Sequence, residues 1–131
     1  MNPVVHFELP YKNADRAKNF YTNVFGWKLH QYGSEMNHYI TCTTAEKDVK
    51  PGAPAGSIDG GLYPIQPGSA EHPAFVIGVE NIDTASDLIV THGGQLLSEA
   101  HEIPGIGTYR QFSDSEGNKL SLLKPNASSH D

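Results

Sequence analysis

The chain has 131 residues, a length that predicts one domain with a core large enough to need no disulfide or structural metal. Its single cysteine, Cys42, excludes an intrachain disulfide, and a net charge of −6 without a Lys/Arg cluster argues against a nucleic-acid partner. No apolar run approaches the ~20 residues that span a bilayer, no signal-peptide pattern follows Met1, and a soluble cytoplasmic protein with no membrane partner is the expectation.

Residues 4 to 9, VVHFEL, read as a strand with Val5, Phe7 and Leu9 on one face and His6 and Glu8 on the other. Asn13 is placed as the N-cap of a helix whose stripe, Ala14, Ala17, Phe20, Tyr21 and Val24, covers the apolar face of that strand. Gly26 stops the helix. Strands are expected at Trp27 to Tyr32, His38 to Thr43 and Leu62 to Ile65. The Pro- and Gly-rich stretch from Ala45 to Gly61 reads as a long loop, a lid in the functional reading and plain flexibility otherwise. After a linker from Gln66 to Pro73 come a strand at Ala74 to Val79 and a helix from about Asn81 to His92. Strands follow at Gln95 to Ala100, Thr108 to Ser113 and Lys119 to Leu123, and a flexible tail covers 126–131.

The two halves repeat one another. Residues 6 to 29 lie over residues 74 to 97 at a constant offset of 68, with six identities: Phe7/Phe75, Asn13/Asn81, Asp15/Asp83, Ala17/Ala85, Gly26/Gly94 and Leu29/Leu97. They fall on strand core, helix start, helix face and the glycine after the helix, so two copies of one small unit are predicted, about 4–65 and 74–123, within a single domain over 1–125.

With HFELPYKNADRAKNFYTNVFGWKL at the front, FSDSEGNKLSLL at the back, and the GGLYP and IPGIG segments between, the chain resembles the vicinal oxygen chelate superfamily. Within it the chain is similar to the small glyoxalase-related, lactoylglutathione lyase-like proteins. The resemblance implies an α+β fold of two tandem βαβββ units forming a U-shaped cup, the glyoxalase/bleomycin resistance/dioxygenase fold. It also implies a small-molecule ligand or substrate and a homodimer. The metal-dependent members hold a divalent ion through four inward His or Glu side chains. Motif by motif those positions fall here on His6, about Gly61, Ala74 and Ser121, of which only His6 is a good donor. No cofactor and no metal are therefore expected, with a non-standard set of His6, Glu8 and His72 as the one route to a metal site.

His6 and Glu8 are the candidate catalytic or ligand-binding pair, since a carboxylate can orient an imidazole and raise its basicity; a buried structural pair is the competing reading. Tyr63, Tyr109, Gln111 and Ser121 are candidate ligand-binding residues, an aromatic wall with a few polar groups. Cys42 reads as an inert buried thiol and Trp27 as core. The leading expectation is a small-molecule-binding protein of this family without the usual metal. The alternative is a lyase, isomerase or dioxygenase-like enzyme using His6 and Glu8.

Overall fold

The computed structural model describes residues 1–45, 58–68 and 71–126. Most of the expected lid, 46–57, and of the tail, 127–131, lies outside the described residues, while Gly60 and Gly61 at the end of the expected loop belong to a strand. The elements in chain order are β1 (Val4–Tyr11), α1 (Ala14–Phe25), β2 (Lys28–Gln31), a 3-10 turn (Ser34–Met36), β3 (Ile40–Thr43), β4 (Gly60–Pro64), β5 (Ala74–Gly78), α2 (Ile82–Thr91), β6 (Gln95–Leu96), β7 (His101–Ile103), β8 (Gly107–Ser113) and β9 (Lys119–Pro125). They fall into two units, a front unit from His6 to Pro73 and a back unit of Met1–Val5 with the chain from Ala74 onward.

In the front unit the strand order is β2-β3-β4-β1. The β2–β3 and β3–β4 pairs are antiparallel and β1 runs parallel to β4, with Phe7 opposite Gly60 and Glu8 opposite Gly61. The back unit repeats that topology as β6-β8-β9-β5, with β5 parallel to β9, and adds β7 on β8. The first residues of the chain join the back unit, where the Gly78 N–H donates to the Pro3 carbonyl at 2.8 Å. Each unit is thus one βαβββ copy, as the repeat predicts, in an α+β fold.

The helix starts show the repeat most plainly. Asn13 and Asn81 adopt the same extended backbone, φ −134° and −138°, and each side chain accepts from the N–H three residues on, at 2.9 Å. Gly26 then ends α1 at φ 73°, a left-handed conformation that a side chain would strain. In α2 the cap is His92 and the left-handed residue is Gly93, so Gly94 does not play the part of Gly26.

Each unit has its own core. Tyr11, Ile40, Cys42 and Leu62 form the front core, packed by Phe7, Leu9, Ala14, Ala17, Tyr21, Trp27 and Leu29. Val79, Ile82, Phe112 and Leu122 form the back one. The helical stripe is narrower than its spacing predicts, because Phe20 and Val24 are more than half exposed while Ala17 and Tyr21 carry the packing. Val5 and Phe75 are exposed too, so the strand faces expected to be wholly apolar are buried only in part. The strand expected from Gln95 to Ala100 stops at Leu96, because the Ser98 hydroxyl and carbonyl turn to the Gln111 N–H and Arg110 Nε instead of a ladder.

Candidate functional site

His6 and Glu8 alternate along β1 with Phe7, whose ring packs on Trp27, so core packing of Phe7 turns both polar residues to the opposite face. There they meet Tyr39, the residue before β3. His6 Nε2 lies 2.9 Å from the Tyr39 hydroxyl, which donates to Glu8 Oε2 at 3.2 Å. With its one proton given to Glu8, the phenol oxygen is left to accept from an Nε2–H of His6. The Glu8 carboxylate thus has a partner, and the imidazole and carboxylate are bridged through a phenol.

The electrostatics agree with a neutral imidazole. Burial lowers the His6 pKa from its usual 6.5, and the opposing field of Asp59 offsets this only in part. Asp59 is placed by Thr44, whose N–H donates to Asp59 Oδ1 at 2.8 Å, and by the Phe7 N–H, which donates to the Asp59 carbonyl at 3.4 Å. Tyr63, half-buried on β4, has its phenol pKa raised by burial and then by the charge of Glu8, which puts it within electrostatic reach of the centre.

Tyr39 is held from behind by an unusual turn. Asn37 and His38 are both left-handed, with φ of 52° and 56°, a conformation that costs a non-glycine residue on the order of 1 kcal/mol or more. Three contacts hold it. The buried Tyr11 hydroxyl donates to the His38 carbonyl at 2.7 Å, and the Asn37 and Gln66 side-chain amides exchange two hydrogen bonds of 3.1 Å. The Tyr32 N–H then donates to the Tyr39 carbonyl at 2.8 Å, carrying the β2–β3 ladder one pair further.

In the back unit, Tyr109 and Ser121 are paired through their hydroxyls at 2.6 Å, and Ser121 is buried. Gln111 lies opposite Ser121 on β8 but is exposed, and the His101 ring approaches Tyr109 at 5.4 Å between centroids. The structure therefore brings His6 and Glu8 together through Tyr39, brings Tyr109 and Ser121 together, and places Tyr63 within the electrostatic reach of Glu8.

The family's metal set can be tested on register. Glu8 lies opposite Gly61 and Val76 lies opposite Ser121, and the repeat offset maps Glu8 onto Val76, so Gly61 and Ser121 are equivalent positions. Gly61 and Ala74 carry no donor, and the Ser121 hydroxyl is engaged by Tyr109. The alternative set does not assemble either. Among the described residues no three His, Cys, Asp or Glu side chains are grouped to hold an ion, and His72 is exposed, its carbonyl 3.4 Å from the Tyr63 hydroxyl. These residues do not fit a divalent metal of the family's kind.

Sequence reasoning missed Tyr39 and Asp59. Tyr39 is the repeat counterpart of Tyr109, but unequal loops put the two tyrosines two residues out of step with the offset of 68. Asp59 sits at the end of the segment read as a loop. Cys42 is buried and its thiol is pushed up to about 11, by burial first and then by Asp59, which makes it a poor nucleophile.

Comparison with known proteins gives a consistent picture. The family model described as Glyoxalase/Bleomycin resistance protein/Dioxygenase superfamily matches residues 4–122. A "Glyoxylase-like domain-containing protein" of Didymella fabae is 26% identical over 118 residues, 88% of each chain. The "Putative glyoxylase CFP32" of Mycobacterium bovis is 31% identical over 68 residues, which are 52% of this chain and 26% of that protein. Among solved structures, methylmalonyl-CoA epimerase from Mycobacterium tuberculosis superposes with a TM-score of 0.67 at 16% identity, covering 95% of this chain and 89% of the other. That likeness is one of fold.

Proposed function

The chain belongs to the Glyoxalase/Bleomycin resistance protein/Dioxygenase superfamily, and from that premise we propose that it binds a small, oxygen-bearing organic molecule at the His6–Tyr39–Glu8 centre, without the family's usual metal. The observation that carries the reading is the bridging phenol: a half-buried imidazole and a carboxylate are joined by a third polar group, 2.9 and 3.2 Å away. A neutral imidazole and a phenol offer hydrogen bonds to hydroxyl and carbonyl oxygens. Glu8 and Asp59 add negative charge on the same side, which disfavours an anionic ligand and selects for a neutral one.

A second reading, a lyase, isomerase or dioxygenase-like enzyme using His6 and Glu8, is supported by the same chain of hydrogen bonds. A proton taken up at one end can be matched by release at the other, provided a substrate presents an acidic proton within reach of the base. The binding reading is preferred because it needs only complementarity.

Homodimerisation is part of the proposal. Phe20, Val24 and Phe25 on α1 are each more than half exposed, an apolar surface suited to a second copy. The buried thiol of Cys42 suits a reducing cytoplasm. Among the described residues no helix is long and apolar enough to cross a membrane.

The test is a ligand-observed NMR screen of neutral hydroxyl- and carbonyl-bearing fragments against carboxylate analogues, on the wild type and His6→Ala. Neutral fragments that bind the wild type and lose about tenfold or more in affinity in the variant support the reading. Hits that bind both proteins equally, or a preference for the carboxylates, contradict it.

A further inference from the structure

In both repeats a tyrosine is aimed at the same position of the last strand. Thr41 of β3 lies opposite Gly61, and Tyr39 precedes it by two residues, on the same side of the chain. Gln111 of β8 lies opposite Ser121, and Tyr109 precedes it by two residues. With Gly61 and Ser121 already matched through β1 and β5, Tyr39 and Tyr109 are one residue of the repeat seen twice. Their surroundings differ at that position and at the two β1 residues beyond it, His6 and Glu8, which are Ala74 and Val76 in the back unit. In the back unit the position carries a side chain, and the Tyr109 hydroxyl stops on it, 2.6 Å from Ser121 Oγ. In the front unit the position is glycine, and a Cβ built there would run into the hydroxyl and ring of Tyr39.

We infer that Tyr39 is the central hydrogen-bonding residue of the site and that Gly61 is the residue that admits it. Glycine at this point of β4 vacates the volume the phenol occupies, so the hydroxyl reaches past the strand to His6 and Glu8 instead of stopping on its neighbour. Gly61 is not required for its backbone freedom, since it has no positive φ and lies in a regular ladder with β1 and β3. Its missing side chain is what the arrangement uses. Tyr39 thereby sets the tautomer of His6 and the orientation of Glu8, and Asn37, Gln66 and Tyr11 act as positioning residues through the turn behind it. This inference deepens the reading of His6 and Glu8 as the site and rests on it for its functional meaning.

Two measurements test it. Histidine 1H–15N correlation spectra at pH 8 on the wild type, Tyr39→Phe and Gly61→Ala read the state of His6, assigned through the loss of its signals in His6→Ala. The inference predicts a protected, observable His6 Nε2–H in the wild type, lost to solvent exchange in both other variants. His6 signals that are the same in all three would overturn it. Thermal unfolding supplies the second arm, which holds even where Gly61→Ala alone folds poorly. Gly61→Ala is expected to lower the midpoint by about 5 °C or more in the wild-type background and by nothing measurable in Tyr39→Ala, where the space has been vacated. Equal losses in both backgrounds would refute the role assigned to Gly61. Failure of the broader site reading looks different: His6 would respond to Tyr39→Phe as expected while fragment affinity ignored His6→Ala.

Discussion

His6 Nε2 and the Tyr39 hydroxyl are 2.9 Å apart across 33 residues of sequence. The imidazole is kept neutral there, since burial outweighs the pull of Asp59 and sets its folded pKa below 6.5. A group whose pKa is lowered by folding binds fewer protons in the native state. Stability is therefore complete above the unfolded value of about 6.5 and falls as pH drops from there through the folded pKa. Urea titrations at pH 7.5 and 5 are expected to show a loss of stability that shrinks in His6→Gln. An unchanged loss in the variant assigns the pH dependence to other groups.

Cys42 is 1% exposed and its thiol is pushed up to about 11. At pH 8 only about one molecule in a thousand then carries the thiolate, against roughly a quarter for a free cysteine. Alkylation of the native protein is expected to be at least a hundredfold slower than in 8 M urea, a denaturant concentration chosen only to be roughly complete. Stoichiometric labelling within minutes under native conditions would contradict the placement of this residue in the front core.

The two helix caps are equivalent in geometry, so their deletions should match. Asn13→Ala and Asn81→Ala are each expected to cost about 1 kcal/mol in urea unfolding. A cost for one and none for the other would break the equivalence of the repeats at their best-matched position.

The cores make a larger prediction. Leu62, 1% exposed in the front unit, and Leu122, 3% exposed in the back unit, are expected to cost about 2–5 kcal/mol each on truncation to Ala. Chemical denaturation with both fluorescence and far-UV detection reads the loss. A value below about 1 kcal/mol at either site would mean that the packing is looser than described.

Much of the architecture is legible in the sequence because it is local. The offset of 68 between the repeats, the Asn caps and the alternation of His6, Phe7 and Glu8 need only nearby residues to be read, while the βαβββ topology is what the family resemblance implies. What escapes is set by strand register. Tyr39 gains its role only because β3 and β4 pair so as to bring Thr41 opposite Gly61, and no local signal fixes that register. The 3-10 turn at Ser34–Met36 and the left-handed Asn37 and His38 were equally hidden, since their conformation is held by Tyr11 and Gln66 from distant parts of the chain. β7 has no sequence signal, since three residues, His101–Ile103, are too few to show alternation; pairing with β8 defines them. The exposure of Phe20, Val24 and Phe75 shows the opposite limit, where periodicity marks an apolar face without saying how much of it the fold covers.

The central claim is a hydrogen-bonded His6–Tyr39–Glu8 centre doing without a metal, and metal content tests it most directly. Protein purified without chelator or nickel affinity would be measured by elemental analysis, alongside thermal-shift titrations with divalent ions on the wild type and His6→Ala. The account predicts well under one equivalent of any transition metal, and no stabilisation by added ions that depends on His6. One equivalent of bound metal, with stabilisation abolished in His6→Ala, would contradict it and make His6 a ligand rather than the partner of Tyr39.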